Sequence, residues 1–192
     1  MKPLRISYVD ETTLTDPAMR QEFKRSRRDG TPRVESNAMR AHVPAVFWSF
    51  VTTWNDVFRN GIVEHSLKEL CRVYVSRSVK CDYCGNQRSV AASREGLVEQ
   101  DYRDLIDFER SPRYDERQKA ALALAEAITW DVDTDDDFWA RLCRHFSEAQ
   151  IVELGYFIGF TLGQQRFNRL LNMEENPIVA AVTSSLSRGE DQ

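Results

Sequence analysis

The sequence predicts an all-α fold, and three observations support this prediction. From Ala38 onward, apolar residues recur every three or four positions, which is the period of an amphipathic helix. The alternation of apolar and polar residues that is typical of strands is nearly absent. Several segments begin with residues that cap helices. We therefore expect at least six helices, joined by short links that favour an antiparallel bundle.

The N-terminal region differs in amino-acid composition from the rest of the chain. Residues 1–37 contain few apolar anchors, a basic run at positions 24–33 and a Gly-x-Pro break. We expect a partly irregular arm with one short helix near Pro17–Arg25, and we interpret the basic run as solvated surface. The expected helical domain spans residues 38–175, and a C-terminal tail spans residues 176–192.

Three later helices have starts that can be located in the sequence. Ser66 with Glu69 and Ser147 with Gln150 match the capping box, in which two side chains satisfy the free amides of a first turn. Thr134 precedes three aspartates, which the positive end of a helix dipole favours. Amphipathic stretches at 41–59 and 116–129 predict two more helices, and another is expected to begin near Cys81.

Composition limits the classes of function. The chain has 192 residues, of which 42% are hydrophobic, enough for one domain with a buried core or one domain with an arm. The net charge of −4 argues against a nucleic-acid partner. The longest apolar stretch, at 151–163, contains Glu153 and is shorter than the roughly 20 residues of a membrane span. The N-terminus shows no signal-peptide core, so we expect a cytoplasmic protein.

Two cysteines three positions apart, Cys81 and Cys84, are the strongest functional signal. In a reducing compartment a C-x-x-C pair is more often redox-active or metal-binding than structural. The other cysteines and histidines do not stand at zinc-finger spacing from the pair, so we expect neither a metal nor a bound organic cofactor. A turn near Val79–Lys80 would place the pair on the first turn of the next helix, where free amides stabilise a thiolate.

Two charged residues are expected near this pair. If the chain reverses at the turn, Glu69 faces the helix that carries the cysteines. Arg88 stands one helical turn beyond Cys84, and its long side chain could bridge the Glu69 carboxylate to the sulfur.

These residues resemble a known family. Glu69, twelve positions before Cys81, together with the C-x-x-C pair and the position four after Cys84, is similar to the signature of the alkylhydroperoxidase D-like and carboxymuconolactone decarboxylase family. The segments at 146–160 and 166–171 look like its closing helix. The resemblance implies a helical fold, a symmetric oligomer (trimer or hexamer, with a dimer as an alternative) and peroxide reduction by the cysteine pair.

By the same resemblance, Cys84 is the peroxide-reactive thiol, Cys81 is the resolving thiol, and Glu69 anchors a proton relay. Redox members of the family usually carry a histidine where this chain has Arg88. Arginine stays protonated and cannot accept the proton of the thiol, but its charge can lower the pKa of Cys84.

We therefore expect a thiol peroxidase that reduces hydroperoxides and is reset by a dithiol or thioredoxin-like donor. Two alternatives remain open: a decarboxylase-like lyase or isomerase acting on a cyclic carboxylated substrate, and a non-catalytic redox-sensing helical module. The remaining cysteines, Cys71 and Cys143, lie on apolar helical patterns and are predicted to be buried and inert. His65 is predicted to be a helix-entry residue. The aromatic residues at 47–58 recur at helical spacing and predict core, a subunit interface or an apolar pocket.

Overall fold

The computed structural model describes residues 3–173, and all regular structure in this range is helical, without a strand. The prediction of an all-α fold is confirmed. The α-helices in chain order are α1 (Pro17–Asp29), α2 (Val34–Arg40), α3 (Pro44–Thr53), α4 (His65–Ser78), α5 (Asp82–Gly85), α6 (Val90–Arg94), α7 (Glu116–Trp130), α8 (Asp136–His145) and α9 (Glu148–Leu170). A π-helical turn at Trp54–Arg59 extends α3. None of the helices in the described range is long and apolar enough to cross a membrane.

Helix α4 lies at the centre of the fold and packs against both α7 and α9. Apolar residues are buried on nearly every side of α4. Leu70 and Val73 are fully buried in one apolar cluster, which also contains Leu122 of α7 and Ile158 of α9. A helix buried all round can carry a polar group in the interior only if that group is paired. The polar residues of α4 are therefore the ones whose partners define the site.

A second apolar cluster joins the N-terminal helices to α9. Met19 and Phe23 of α1, four positions apart, pack with Phe47 of α3 and Phe157 of α9. The predicted boundary between residues 37 and 38 falls inside α2, whose seven residues are all buried. The predicted helix near Pro17–Arg25 extends to Asp29, and Gly30 ends it in the left-handed conformation. The predicted tail at 176–192 lies outside the described residues.

The predicted N-terminal caps of three helices agree with the structure to different degrees. Ser147 and Gln150 form the predicted capping box at the start of α9. The cap of α8 is Asp135 rather than Thr134, one position later than expected. The capping box predicted at Ser66 is wrong, because α4 begins at His65 and Glu69 is bonded elsewhere.

The predicted chain reversal before the cysteines is present. Helix α4 ends at Ser78, and Lys80 has a positive φ of 56° that turns the chain back. The backbone amide of Cys81 then donates to the carbonyl of Ser76 at 2.9 Å. Cys81 caps α5, a single turn that includes Cys84 and ends at Gly85.

Candidate functional site

The two cysteines of the C-x-x-C turn are joined by a disulfide, with their Cα atoms 5.3 Å apart. Cys81 and Cys84 are 2% and 3% exposed. Both side chains are therefore nearly closed off from solvent, and access to Cys84 depends on a small cavity described below.

A buried ion pair links the centre of α4 to this turn. The carboxylate of Glu69 accepts hydrogen bonds from Nε of Arg72 at 2.7 Å and from Nη2 at 2.9 Å. The same guanidinium donates to the carbonyl oxygens of Cys84 at 2.8 Å and Gln87 at 2.9 Å. Both side chains are almost completely buried. Arg72 therefore connects the carboxylate of Glu69 to the backbone of the C-x-x-C turn.

A third hydrogen bond to the Glu69 carboxylate begins a short series of polar contacts that ends at His65. Oε1 of Glu69 accepts from the backbone amide of Ser89 at 3.0 Å, and the Ser89 hydroxyl lies 2.7 Å from Nε2 of His65. Nδ1 of His65 lies 2.8 Å from the carbonyl oxygen of Phe58, so the neutral ring donates through Nδ1 and accepts through Nε2. Burial lowers the pKa of His65 and favours this neutral form. His65 is the first residue of α4, whereas the sequence placed it just before a capping Ser66.

Arg88 does not form the bridge that the sequence predicted. Its Nε donates to Glu99 at 2.6 Å, its Nη1 donates to the carbonyls of Gly85 and Gln87, and its guanidinium lies over the ring of Tyr102. The prediction assumed one continuous helix through residue 88, whereas α5 ends at Gly85. The contact with Glu69 is made instead by Arg72.

Helix α9 supplies polar residues that the sequence analysis missed. Nδ2 of Asn168 donates a hydrogen bond to Sγ of Cys84 at 3.6 Å. Gln165 donates to the carbonyl of Arg72 at 3.1 Å and to the Thr161 hydroxyl at 2.8 Å. The signal was a polar spacing of four and three, at positions 161, 165 and 168, in a helix whose buried positions are otherwise apolar.

A small cavity of about 20 Å³ borders Cys84, enough for about one water molecule. Its polar lining includes Arg40, Arg72, Gln165 and Asn168, and Trp54 and Phe50 contribute aromatic walls. Arg40 is 3% exposed, and burial lowers its pKa to about 10. Arg40 was not among the predicted site residues, because it lies beside the predicted boundary between the arm and the helical domain and in no predicted helix.

The remaining sequence predictions have mixed outcomes. Cys71 is buried, and burial raises the pKa of its thiol to about 12. Cys143 is exposed, so the prediction of burial is wrong for that residue. Its position on α8 faces solvent because Leu142 takes the inward position. Most of the aromatic residues at 47–58 are buried core, as predicted, and Phe58 stacks on Phe157 at a centroid distance of 4.9 Å.

The all-helical fold matches the alkylhydroperoxidase D-like fold, and its C-x-x-C turn lies beside the buried Glu69. Residues 44–127, which include the cysteine pair and Glu69, match the carboxymuconolactone decarboxylase family. This match covers the part of the chain that carries the candidate site, and the resemblance noted in the sequence is confirmed.

Relatives and solved structures agree on the fold. An uncharacterized Escherichia coli (strain K12) protein, YnjA, is 23% identical over 134 residues, covering 68% of this chain and 73% of its own length. A variant of the debrominase Bmp8 in complex with 2,3,4-tribromopyrrole superposes with a TM-score of 0.75 at 18% identity, covering 96% and 98% of the two chains. An uncharacterized peroxidase-related protein from Ralstonia eutropha JMP134, an alkylhydroperoxidase AhpD core, gives a TM-score of 0.71 at 17% identity, covering 93% and 96%.

Proposed function

We propose that this protein is a thiol oxidoreductase that reduces hydroperoxides through a dithiol–disulfide cycle of Cys84 and Cys81. The observation that carries the proposal is the hydrogen bond from Asn168 to Sγ of Cys84, at the edge of a cavity with polar walls. A donor aimed at sulfur favours a thiolate, which is the nucleophilic form of cysteine. Cys81 is close enough to close the disulfide.

The cycle balances without a metal or an organic cofactor. The Cys84 thiolate attacks the terminal oxygen of the hydroperoxide, the O–O bond breaks, and an alkoxide leaves with the electron pair. The alkoxide takes a proton from water, and Cys84 becomes a sulfenic acid. The thiol of Cys81 then attacks the sulfenic sulfur and releases water as the disulfide forms. A dithiol or thioredoxin-like donor reduces the disulfide and is itself oxidised.

The charged residues have different supporting roles in this proposal. Glu69 is held by Arg72 and by the Ser89 amide, so it fixes the C-x-x-C turn to α4. Glu69 has no proton relay through Ser89 in this proposal, because Glu69 contacts the Ser89 backbone amide whereas His65 contacts the Ser89 hydroxyl. Arg88 acts on Cys84 only through its charge and through the carbonyls of the turn. We also propose a homo-oligomer, as the family resemblance implies.

The test uses the reduced protein and an organic hydroperoxide. We expect two thiols to be lost for each peroxide consumed in the first turnover, and continued consumption when a dithiol donor is added. Cys84→Ser should abolish peroxide consumption, and Cys81→Ser should leave a sulfenic acid that dimedone traps. The matched control is Cys143→Ser, which removes an exposed cysteine outside the pair. Equal peroxide turnover in Cys84→Ser would refute the proposal.

The same experiment separates the two alternatives inferred from the sequence. A redox-sensing module would lose the thiol pair once, change its oligomeric size, and show no continued turnover with donor. A lyase or isomerase would act on a cyclic carboxylated substrate, and its activity would survive in a Cys81→Ser, Cys84→Ser double variant.

Reductive dehalogenation is a second candidate, favoured by the likeness to the debrominase Bmp8 over nearly the whole chain. A dithiol can supply the two electrons for this reaction: an aryl bromide and two thiols give the arene, a disulfide and hydrogen bromide. Bromide release from a brominated pyrrole, with loss of the Cys81 and Cys84 thiols and no peroxide turnover, would favour this function.

A further inference from the structure

Arg40 is a buried cation whose contacts are all with neutral groups. Its Nη1 donates to the carbonyl of Ser36 at 2.7 Å and to the hydroxyl at 2.5 Å, its Nη2 donates to Oε1 of Gln164, and the guanidinium lies 3.8 Å from the centroid of the Phe50 ring. These three hydrogen bonds leave two of its five N–H donors unassigned. In residues 3–173, no carboxylate forms an ion pair with it.

Within the described range, the two buried cations of helix α4 differ from Arg40 because each has a carboxylate partner. Arg72 is paired with Glu69, and Lys68 is paired with Glu153 at 2.7 Å. Burying a charge without a counter-ion is costly, so an uncompensated guanidinium favours negative charge that appears beside it. Arg40 and Cys84 line the same cavity, so that charge would appear next to the sulfur.

Two further side chains indicate what the cavity can hold. Oδ1 of Asn168 and Oε1 of Gln165 are buried and have no hydrogen-bond partner among residues 3–173. These oxygens accept hydrogen bonds and repel a resident anion. The cavity therefore favours a group that donates a hydrogen bond and is neutral when it binds. A hydroperoxide group has both properties, because it carries an O–H and no charge before reaction. Its inner oxygen becomes negative only as the O–O bond breaks. The small volume fits such a group better than a bulky substituent.

We propose that Arg40 is a catalytic residue whose guanidinium stabilises the oxygen that leaves the hydroperoxide when Cys84 attacks. This inference rests on the proposed function and deepens it. The thiolate of Cys84 forms the S–O bond, the O–O bond breaks, and the electron pair departs on the inner oxygen beside Arg40. Sulfur is oxidised by two electrons and the peroxide is reduced. The alkoxide then takes its proton from water, and Arg40 keeps its own.

The test compares two oxidants whose leaving groups differ in basicity. The oxidants are ethyl hydroperoxide, which releases a basic alkoxide, and peracetic acid, which is similar in size and releases the weakly basic acetate. Arg40→Met should lower kcat/KM for ethyl hydroperoxide by about 100-fold, the usual effect of removing one oxyanion donor, and should lower it much less for peracetic acid. Both oxidants react with one thiolate, so a change in the ionised fraction of Cys84 would affect them equally.

A charge-retaining variant and an exposed control complete the design. Arg40→Lys should restore part of the rate with the hydroperoxide, and it keeps the proposal testable if Arg40→Met fails to fold. Arg94→Met removes an exposed arginine outside the cavity and should change neither rate. Equal losses with both oxidants in Arg40→Met, or a loss in Arg40→Lys that is the same for both oxidants, would overturn the role of Arg40. Absence of peroxide turnover in the unmodified protein would instead refute the proposed function.

Discussion

Asn168 and Cys84, 84 positions apart in the chain, meet through a hydrogen bond from the Asn168 amide to the cysteine sulfur at 3.6 Å. Asn168 lies near the end of α9, and Cys84 lies in the single turn of α5. The contact depends on the packing of α9 against α4 and α5, which brings the polar stripe of α9 to the C-x-x-C turn. It is the one side-chain hydrogen bond to the Cys84 sulfur that the described residues provide.

Asn168→Ala should raise the pKa of the Cys84 thiol by about 1 unit in the reduced protein, because a hydrogen bond to a charged group is worth roughly 1.5–3 kcal/mol and part of it is lost to water. The pH dependence of alkylation at Cys84 measures the shift. Asn60→Ala, at an exposed asparagine bonded only to the Asn55 carbonyl, is the control. An unchanged alkylation profile in Asn168→Ala would show that the amide does not stabilise the thiolate.

Glu69→Gln should lower the free energy of unfolding by about 3–5 kcal/mol, because it removes the counter-ion of a guanidinium that is buried in the core. Chemical denaturation measures this change. The matched control is Asp107→Asn, which breaks an exposed pair with Arg110 at the same i,i+3 spacing and should cost less than about 1 kcal/mol. Similar losses for the two substitutions would contradict the buried pairing.

Arg88→Ala tests the role that the sequence suggested for this arginine. We expect the pKa of the Cys84 thiol to rise, but by less than about half a unit, because the guanidinium contacts Glu99 and the carbonyls of the turn and acts on the sulfur only at longer range. Alkylation rates at several pH values give the shift. A rise as large as that in Asn168→Ala would restore Arg88 as a direct partner of the thiolate.

Acid should destabilise the protein through His65. Burial holds the folded-state pKa of His65 below its ordinary value of 6.5, so the unfolded chain binds the proton more readily. The stability that the neutral ring contributes is complete above pH 6.5 and is lost as the pH falls below it, by up to about 1.4 kcal/mol per pH unit.

Urea denaturation at pH 7.5 and pH 5 measures this loss. His65→Gln should reduce the difference between the two pH values, since glutamine cannot be protonated in this range. His42→Gln, at an exposed histidine, is the control and should leave the difference unchanged. An identical pH dependence in His65→Gln and the unmodified protein would exclude His65 as its source.

Local patterns in the sequence accounted for most of the helices and for the position of the cysteine pair. Periodicity located α7, capping patterns indicated α4 and α9, and the reversal at Val79–Lys80 followed from placing the pair on a new helix. These features depend on residues close together in the chain. The error at Ser66 had a physical reason, because a glutamate three residues after a serine fits a capping box and equally well a buried ion pair.

The partners of the site depended on where separate helices cross. Arg72 rather than Arg88 contacts Glu69, since α5 ends one turn after Cys81 and the spacing in the sequence does not continue through it. Arg40 and Asn168 are 128 positions apart in the chain and line one cavity with Cys84, because Arg40 bonds to Gln164 of α9 and α9 packs against α5. The sequence by itself determined most of the helices, the family resemblance and the position of the cysteine pair, because those depend on local spacing. Only the tertiary structure decided which charges and amides surround the sulfur, because burial and long-range packing select them.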